Sequence, residues 1–225
     1  RKIDLFINSL GDKDTLKLYK EELTLYFNKY KDDLSLLSKN KIETNPLRIL
    51  DSKDKKDKEI SLNSPIISDF YSNTAKDKFY KIQNLLSKNS INFSINNNLV
   101  RGLDYYCHSV FEFKTDDLGS QDTLIGGGRY DGLVKILGGP NIPGVGWAGG
   151  IERMLMLMDE PQKEDKKIHL IIIDEIFKEY GLKILNLLRK QHINIFFDYK
   201  YNLKKSLSLA NEFNAEFAII IGENE

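Results

Sequence analysis

The chain has 225 residues, enough for one large domain or two modest ones, each with its own core. Hydrophobic residues make up 41% and charged residues 29%, which is typical of a soluble globular protein. Lys plus Arg and Asp plus Glu number 33 each, so the formal net charge is zero. This balance excludes a protein that binds nucleic acid through its overall charge, and any such partner must be held by a local basic patch.

The cysteine content and the hydropathy of the sequence exclude further classes of protein. Cys107 is the single cysteine, so an intramolecular disulfide and a Cys-rich metal site are both excluded. No apolar run approaches the length of a membrane span and no signal peptide opens the chain, so we expect a cytoplasmic protein without a membrane partner. The absence of an initiator Met, and an end directly after an apparent strand, predict a piece of a longer protein.

The first ninety residues are predicted to be mainly helical. Apolar residues recur at three- and four-residue steps from Asp12 to Lys39, which predicts one long amphipathic helix. The following "NPLRILDSKDKKDKE" combines an Asn-Pro pair with a mixed charge run, which predicts a solvated loop around a short turn. A second helix is predicted from Asn73 to Ser87.

The pattern then changes to that of strands. Apolar and polar residues alternate over 91–95, and 110–113 and the stretch before Gly126 continue this strand-rich region. A helix is predicted at "GGIERMLMLM", and the polar "DEPQKEDKK" is typical of an interdomain linker. Three apolar stretches then alternate with helical ones, a βαβαβ order that predicts a largely parallel sheet: "IHLIIID", "NIFFDY" and "EFAIII".

The first candidate site is "LVRGLDYYCHSVFEF". Here Arg101 is followed by Asp104, Tyr105 and Tyr106. An arginine fork can hold a carboxylate or phosphate through paired hydrogen bonds, and a nearby carboxylate can hold that fork in position. A tyrosine hydroxyl can bond a polar ligand group while its ring forms a wall. The alternative is an edge-strand ion pair beside two half-buried tyrosines.

The second candidate site is "IGGGRYDGL". Gly126, Gly127 and Gly128 allow close approach of a ligand or another strand, and Arg129 and Tyr130 follow at once. The alternative is a tight turn between strands. A phosphate loop of the Walker type is excluded, because no Gly-Lys-Ser/Thr follows.

The third is "GVGWAGGIERMLML". Glycines precede a helix that carries Glu152 in its first turn and then Arg153. Small residues ahead of a helix suit nucleotide binding, with Arg153 facing a phosphate or a stacked base. The alternative is a helix packed tightly on a sheet, with Arg153 exposed.

Together these three stretches resemble the histidyl-tRNA synthetases. "RGLDYY" followed by "VFEF" is similar to the family's histidine-binding signature, and "GGRYDGL" to its second signature. "GWAGGIERM" is similar to the third motif of class II synthetases, and "TNPLRILDSK" resembles the segment before the histidine signature. The resemblance covers essentially the whole chain, in the family's order.

The resemblance implies an α+β fold with a class II antiparallel catalytic sheet, a helical insertion and a following α/β anticodon-binding domain. The implied domain boundaries assign residues 1–9 to the end of a preceding core segment, 10–90 to the helical insertion, 91–160 to the catalytic core with the histidine signatures and third motif, 161–166 to a linker and 167–225 to a truncated anticodon-binding domain.

The implied activity is that of an aminoacyl-tRNA ligase. L-Histidine and ATP give histidyl-adenylate and pyrophosphate, and the histidyl group then passes to the terminal adenosine of tRNA(His). The resemblance implies Mg²⁺ bound with ATP, no metal site made by the protein, and a homodimer in the full-length protein.

The resemblance also assigns roles to single residues. The position of Arg101 matches the family's catalytic arginine, which contacts the histidine carboxylate and the α-phosphate. Tyr105, Tyr106 and Tyr130 match the histidine pocket, with Tyr106 as the preferred imidazole contact. The remaining assignments are Gly126, Gly127 and Gly128 to the pocket floor and Arg153 to an ATP phosphate.

Two departures from the family pattern matter. Cys107 and His108 replace the usual small or polar residues, and we expect them to be strand residues at the pocket margin without a catalytic role. The first two class II motifs are absent, so we expect this chain alone not to complete adenylation.

The main alternative is a synthetase-like paralogue without catalysis. It would serve as a histidine-sensing regulatory subunit or as the uncharged-tRNA sensor of a stress kinase. The intact "RGLDYY" and the βαβαβ region favour the enzyme. A nonfunctional gene fragment is also consistent with the sequence.

Overall fold

The chain forms two compact units, Arg1–Asp159 and Glu160–Glu225. A computed structural model describes residues 2–101, 103–119, 122–158, 167–191 and 193–223. The predicted linker residues 161–166 lie outside this described part.

The first unit is built around a five-stranded sheet. Its elements in chain order are β1 (Asp4–Ser9), α1 (Lys13–Lys29), α2 (Leu36–Lys39), α3 (Lys55–Leu62), α4 (Asn73–Lys88), β2 (Ser94–Ile95), β3 (Cys107–Lys114), β4 (Thr123–Arg129), α5 (Leu133–Ile136), β5 (Val145–Gly149) and α6 (Ile151–Leu157). Strands β1, β3, β4 and β5 pair in this order, each antiparallel to the next, as predicted, whereas β2 pairs with the other edge of β1 in parallel and makes the sheet mixed.

The second unit confirms the predicted βαβαβ arrangement. Its elements are β6 (Ile168–Ile172), α7 (Lys178–Lys190), β7 (Ile195–Phe197), α8 (Leu203–Glu212) and β8 (Phe217–Ile221). The parallel sheet has the order β7-β6-β8, and buried apolar residues fill the central strand at Leu170, Ile171 and Ile172, as expected for a strand covered on both faces.

The single long helix predicted from Asp12 to Lys39 is wrong. The helix ends at Lys29, and α2 starts only after Ser35. Ser35 donates its N–H and its hydroxyl to Asp57, at 2.8 and 2.7 Å. This contact between residues 22 positions apart holds the chain away from the helical path, which local periodicity could not indicate.

The predicted solvated loop at 45–59 is also wrong. Pro46, Leu47 and Ile49 are buried in a short 3-10 turn that packs in the same core as α1. The charged run that follows is helix α3, because the Asp54 side chain accepts the N–H groups of Lys56 and Asp57 and caps the helix.

The remaining predictions for this unit are confirmed in part. Helix α4 matches the predicted 73–87 almost residue for residue. The strand predicted over 91–95 shrinks to two residues, and Ile91 and Ile95 are both exposed. Among the described residues, no helix combines the length and apolar character that a membrane crossing requires.

Buried Asp57 offers a test of what holds the helical part together. Its carboxylate accepts the hydroxyls of Ser35, Ser38 and Ser52. We expect Asp57→Ala to lower the free energy of unfolding by about 2–4 kcal/mol, because three hydroxyl donors, one of them the buried Ser38, lose their acceptor. Urea unfolding, followed by circular dichroism and by the fluorescence of the single tryptophan, measures this loss. Exposed Asp77 provides the matched control, and a loss as large in Asp77→Ala would contradict the prediction.

Asp12 links the starts of α1 and α4, and its titration leads us to expect that the stability of the protein depends on pH. Its carboxylate accepts the Ser72 hydroxyl and the Thr15 N–H, which lower the pKa of Asp12 to about 2. Because the folded pKa lies below the unfolded value of about 4, this stabilisation is complete above pH 4 and is lost as the pH falls towards 2. We expect Asp12→Asn to flatten the pH dependence of the urea midpoint in that window. Asp14 is exposed in the same helical turn, and Asp14→Asn should keep the pH dependence of the urea midpoint that the wild type shows.

Candidate functional site

The centre of the candidate site is an ion pair between Arg101 and Glu112. Glu112 lies on β3, is 8% exposed and stands opposite Gly126 on β4. Arg101 donates from Nη1 to Glu112 Oε1, and its guanidinium lies over Gly126. A Cβ on Gly126 would come within 2.6 Å of Nη1 and 2.8 Å of Cζ, so only glycine leaves room for the guanidinium there.

This pair sits within a larger group of charges. Lys114 Nζ lies 3.2 Å from Glu112 Oε2 and 3.3 Å from Asp122 Oδ2. Desolvation and the nearby Glu112 raise the pKa of the Asp51 carboxyl, and Lys114 and Arg101 oppose that rise. The buried Nε of Arg101 has no hydrogen-bond partner among the described residues. The Arg101 side chain as a whole is 24% exposed, so it is not closed off from an anionic ligand.

Three tyrosines form an aromatic group beside this pair. The ring centroids of Tyr105 and Tyr106 are 4.8 Å apart, and that of Tyr130 lies 5.9 and 6.2 Å from them, with its ring nearly perpendicular to both. Tyr130 packs on the glycines around the start of β5, since a Cβ on Gly144 would be 2.4 Å from its ring and one on Gly146 2.6 Å from its hydroxyl. The structure thus brings together tyrosines that are about two dozen residues apart in sequence.

The consecutive glycines are part of a strand. A Cβ on Gly128 would meet Tyr106 Cδ1 at 2.9 Å, so Gly126 and Gly128 share the face that carries Arg101 and the tyrosines. Gly127 allows close approach of the neighbouring strand, because a Cβ there would lie 2.3 Å from the Gly146 carbonyl oxygen. The alternative of a tight turn is therefore wrong.

Asp104 does not hold Arg101 in place. Its carboxylate accepts a hydrogen bond from Asn45 Nδ2, and Arg48 Nη2 lies 3.9 Å away. The carboxylate that does hold Arg101 is Glu112, which the sequence analysis missed. A signal for it exists in "SVFEFK", where one acidic residue interrupts an apolar strand.

Arg153 lies on α6 and is half-buried, so the alternative of an exposed arginine is wrong. Its Nη1 donates to the Thr123 carbonyl at 2.6 Å. Thr123 in turn donates its hydroxyl to Glu112 Oε2 at 3.4 Å. Arg153 is thus connected through one residue to the partner of Arg101.

Cys107, His108 and Asp131 offer ligand atoms within 4.8 Å of one another. Both oxygens of Asp131 are already held by Arg129 Nε at 2.8 Å, and its N–H donates to the Cys107 sulfur. Burial raises the pKa of the Cys107 thiol, whereas burial and then the cations of Lys78 and Arg129 lower the pKa of His108. The Asp131 carboxylate is thus engaged by Arg129, and burial favours the neutral forms of the Cys107 thiol and the His108 imidazole.

Comparison with known proteins agrees with these features. The sequence pattern of the family described as "Histidyl-tRNA synthetase" matches residues 27–154. A histidine–tRNA ligase of Wolbachia pipientis wMel is 47% identical over the whole chain, and one of Ehrlichia ruminantium (strain Gardel) is 46% identical. The chain spans about half the length of these curated relatives, 55% and 54%.

A solved structure agrees as well. The crystal structure of apo S. aureus histidyl-tRNA synthetase matches 98% of this chain and 56% of that chain, with a TM-score of 0.54 and 31% sequence identity. The family match covers more than half of the chain, and the ion pair, the aromatic group and the glycine strand lie within the matched region. The chain therefore belongs to the histidyl-tRNA synthetase family.

Proposed function

We propose that this chain carries the histidine-activating site of a cytoplasmic histidine–tRNA ligase. The observation that supports it best is the Arg101 guanidinium, held over Gly126 by Glu112 beside three clustered tyrosines. A preorganised cation next to a polar aromatic pocket suits a small ligand that combines a ring with a carboxylate.

Arg101 is the proposed catalytic residue for adenylation. An oxygen of the histidine carboxylate attacks the α-phosphorus of ATP, an acyl–phosphate bond forms, and the bond between the α- and β-phosphates breaks to release pyrophosphate. Two anions must meet in this step, and a fixed guanidinium that contacts both reduces their repulsion in the transition state. The partial exposure of the side chain, 24%, leaves Arg101 able to make such contacts. Mg²⁺ would arrive bound to ATP.

The tyrosines are proposed to bind the histidine side chain. Tyr106 and Tyr130 would offer hydroxyls and ring edges to the same space, and Tyr105 would close it. The backbone of Gly126, Gly127 and Gly128 would form the floor. Since a site that reads hydrogen bonds rejects analogues more strongly than an apolar pocket does, this arrangement suits selection of histidine.

Other contacts to ATP and to tRNA involve parts of the protein beyond this pocket. We propose Arg153 as a contact to an ATP phosphate, helped by its link through Thr123 to the Glu112 side of the site. In the full-length protein, proposed to be a homodimer, residues 10–90 would reach the acceptor stem of tRNA(His), and residues 167–225 would begin the anticodon-binding domain.

Histidine-dependent ATP–pyrophosphate exchange by the full-length protein tests the proposal. We expect Arg101→Ala to lower kcat roughly a hundredfold or more, because one transition-state contact is lost. Glu112→Gln should lower kcat by about tenfold, because the guanidinium loses its charged partner. The exposed Asp116→Asn serves as the control and should match the wild type. Histidine binding without any exchange in the wild type would instead indicate a histidine-sensing or tRNA-sensing paralogue.

Gly126→Ala tests the position of the guanidinium separately. The new Cβ would occupy the space of the guanidinium, which must then swing away from Glu112. We expect kcat for exchange to fall roughly tenfold or more with little loss of stability, because only the end of a flexible side chain moves. Gly132→Ala is the control, since a Cβ there meets open space. Equal activity of the two variants would contradict the proposed role of Arg101.

A further inference from the structure

One stretch of the helical part reaches the candidate site at two points. We call residues Asn45–Asp51 the brace segment. At its start, Asn45 and Arg48 contact Asp104, which directly precedes the first tyrosine of the pocket. At its end, Asp51 lies close enough to Glu112 and Arg101 for their charges to shift its pKa.

The brace segment is a rigid support. Its apolar residues belong to the main core of the first unit, with Ile49 fully buried and Leu47 and Leu50 less than a tenth exposed. The backbone N–H of Asn45 donates to the Lys41 carbonyl at 2.8 Å, which fixes the start of the segment. A side chain attached here is therefore held in place by the packing of the core.

The Asn45 side chain does not stabilise the turn that follows it. It makes no capping hydrogen bond to the 3-10 turn that it precedes, and its buried Oδ1 has no partner among the described residues. An unsatisfied buried amide oxygen is destabilising. The bond that the side chain does make, from Nδ2 to Asp104, crosses 59 residues of sequence.

The other end of this bond belongs to an exposed loop. The Asp104 side chain is 64% exposed, so the loop gains little from burial at this position. The charge-assisted bond from Asn45, together with the more distant Arg48, ties the loop to the core. Tyr105 and Tyr106 follow immediately and pack against each other.

We propose that Asn45 is a positioning residue for the histidine pocket, acting through Asp104 on Tyr105 and Tyr106. This inference rests on the proposed function and names a residue of the helical part that sets affinity for the amino acid. Because the Asn45 bond does not involve the Arg101–Glu112 pair, its loss should raise the KM for histidine and leave kcat and the KM for ATP nearly unchanged.

The experiment uses full-length protein and measures pyrophosphate exchange at varied histidine and at varied ATP. We expect Asn45→Ala and Asp104→Ala each to raise the histidine KM roughly tenfold, and the double variant to add little more. Asn45→Asp should raise the histidine KM further than Asn45→Ala does, because two carboxylates would face each other. Adding Asp104→Asn to Asn45→Asp should bring the histidine KM much of the way back, because donor and acceptor are then exchanged. The exposed Asn40→Ala is the matched control.

Amide hydrogen exchange of peptides covering residues 103–107 gives a readout that does not depend on activity. We expect faster exchange in Asn45→Ala and in Asp104→Ala, at unchanged thermal stability for the second variant because its side chain is mostly exposed. Unchanged loop exchange together with an unchanged histidine KM would overturn the inference. A fall in kcat without a change in histidine KM would also count against it, as would a double variant, Asn45→Asp with Asp104→Asn, that binds histidine no better than Asn45→Asp alone.

No pyrophosphate exchange by the wild type would reject the proposed function, but not the inference by itself. In that case the loop exchange rates, and histidine affinity measured by calorimetry, still decide whether Asn45 positions the tyrosines.

Discussion

The pairing of Glu112 with Gly126 across β3 and β4 is the constraint on which the candidate site depends. Paired residues of antiparallel strands point to the same face, so this register places the carboxylate beside a position that has no side chain. Arg101 can then lie over the glycine and reach the carboxylate. A slip of one residue would send Glu112 to the opposite face and leave the guanidinium without its partner.

The glycines of β4 and the loop before β5 create the shape of the site. Glycine weakens a strand because its backbone loses more freedom on folding, and β4 carries three in a row. The strand tolerates them because it lies between β3 and β5 and hydrogen-bonds to both. The missing side chains leave the room that Arg101 and Tyr106 occupy over β4, with Tyr130 packed on Gly144 and Gly146.

The helical part of the first unit contributes to the site as well as covering the core. Asp57 gathers Ser35 and Ser38 at α2 and Ser52 ahead of α3, and so sets the path of the chain from α1 to α3. That path brings the brace segment to the loop before β3, where Asn45 contacts Asp104, and brings Asp51 near enough to Glu112 for its charge to shift the Asp51 pKa. The candidate site is therefore formed by the sheet together with contacts from the helical part.

Periodicity in the sequence by itself determined α4, the central strands and the βαβαβ order of the second unit, because these depend on local patterns of apolar residues. The motifs likewise identified Arg101, the tyrosines and the glycines as a group. Only the tertiary structure decided that the first helix stops at Lys29, that the apolar residues of the brace segment are buried, and that Glu112 and not Asp104 holds Arg101. Each of these outcomes depends on contacts with side chains distant in sequence, such as Ser35 with Asp57, and a local pattern carries no information about which distant groups will meet.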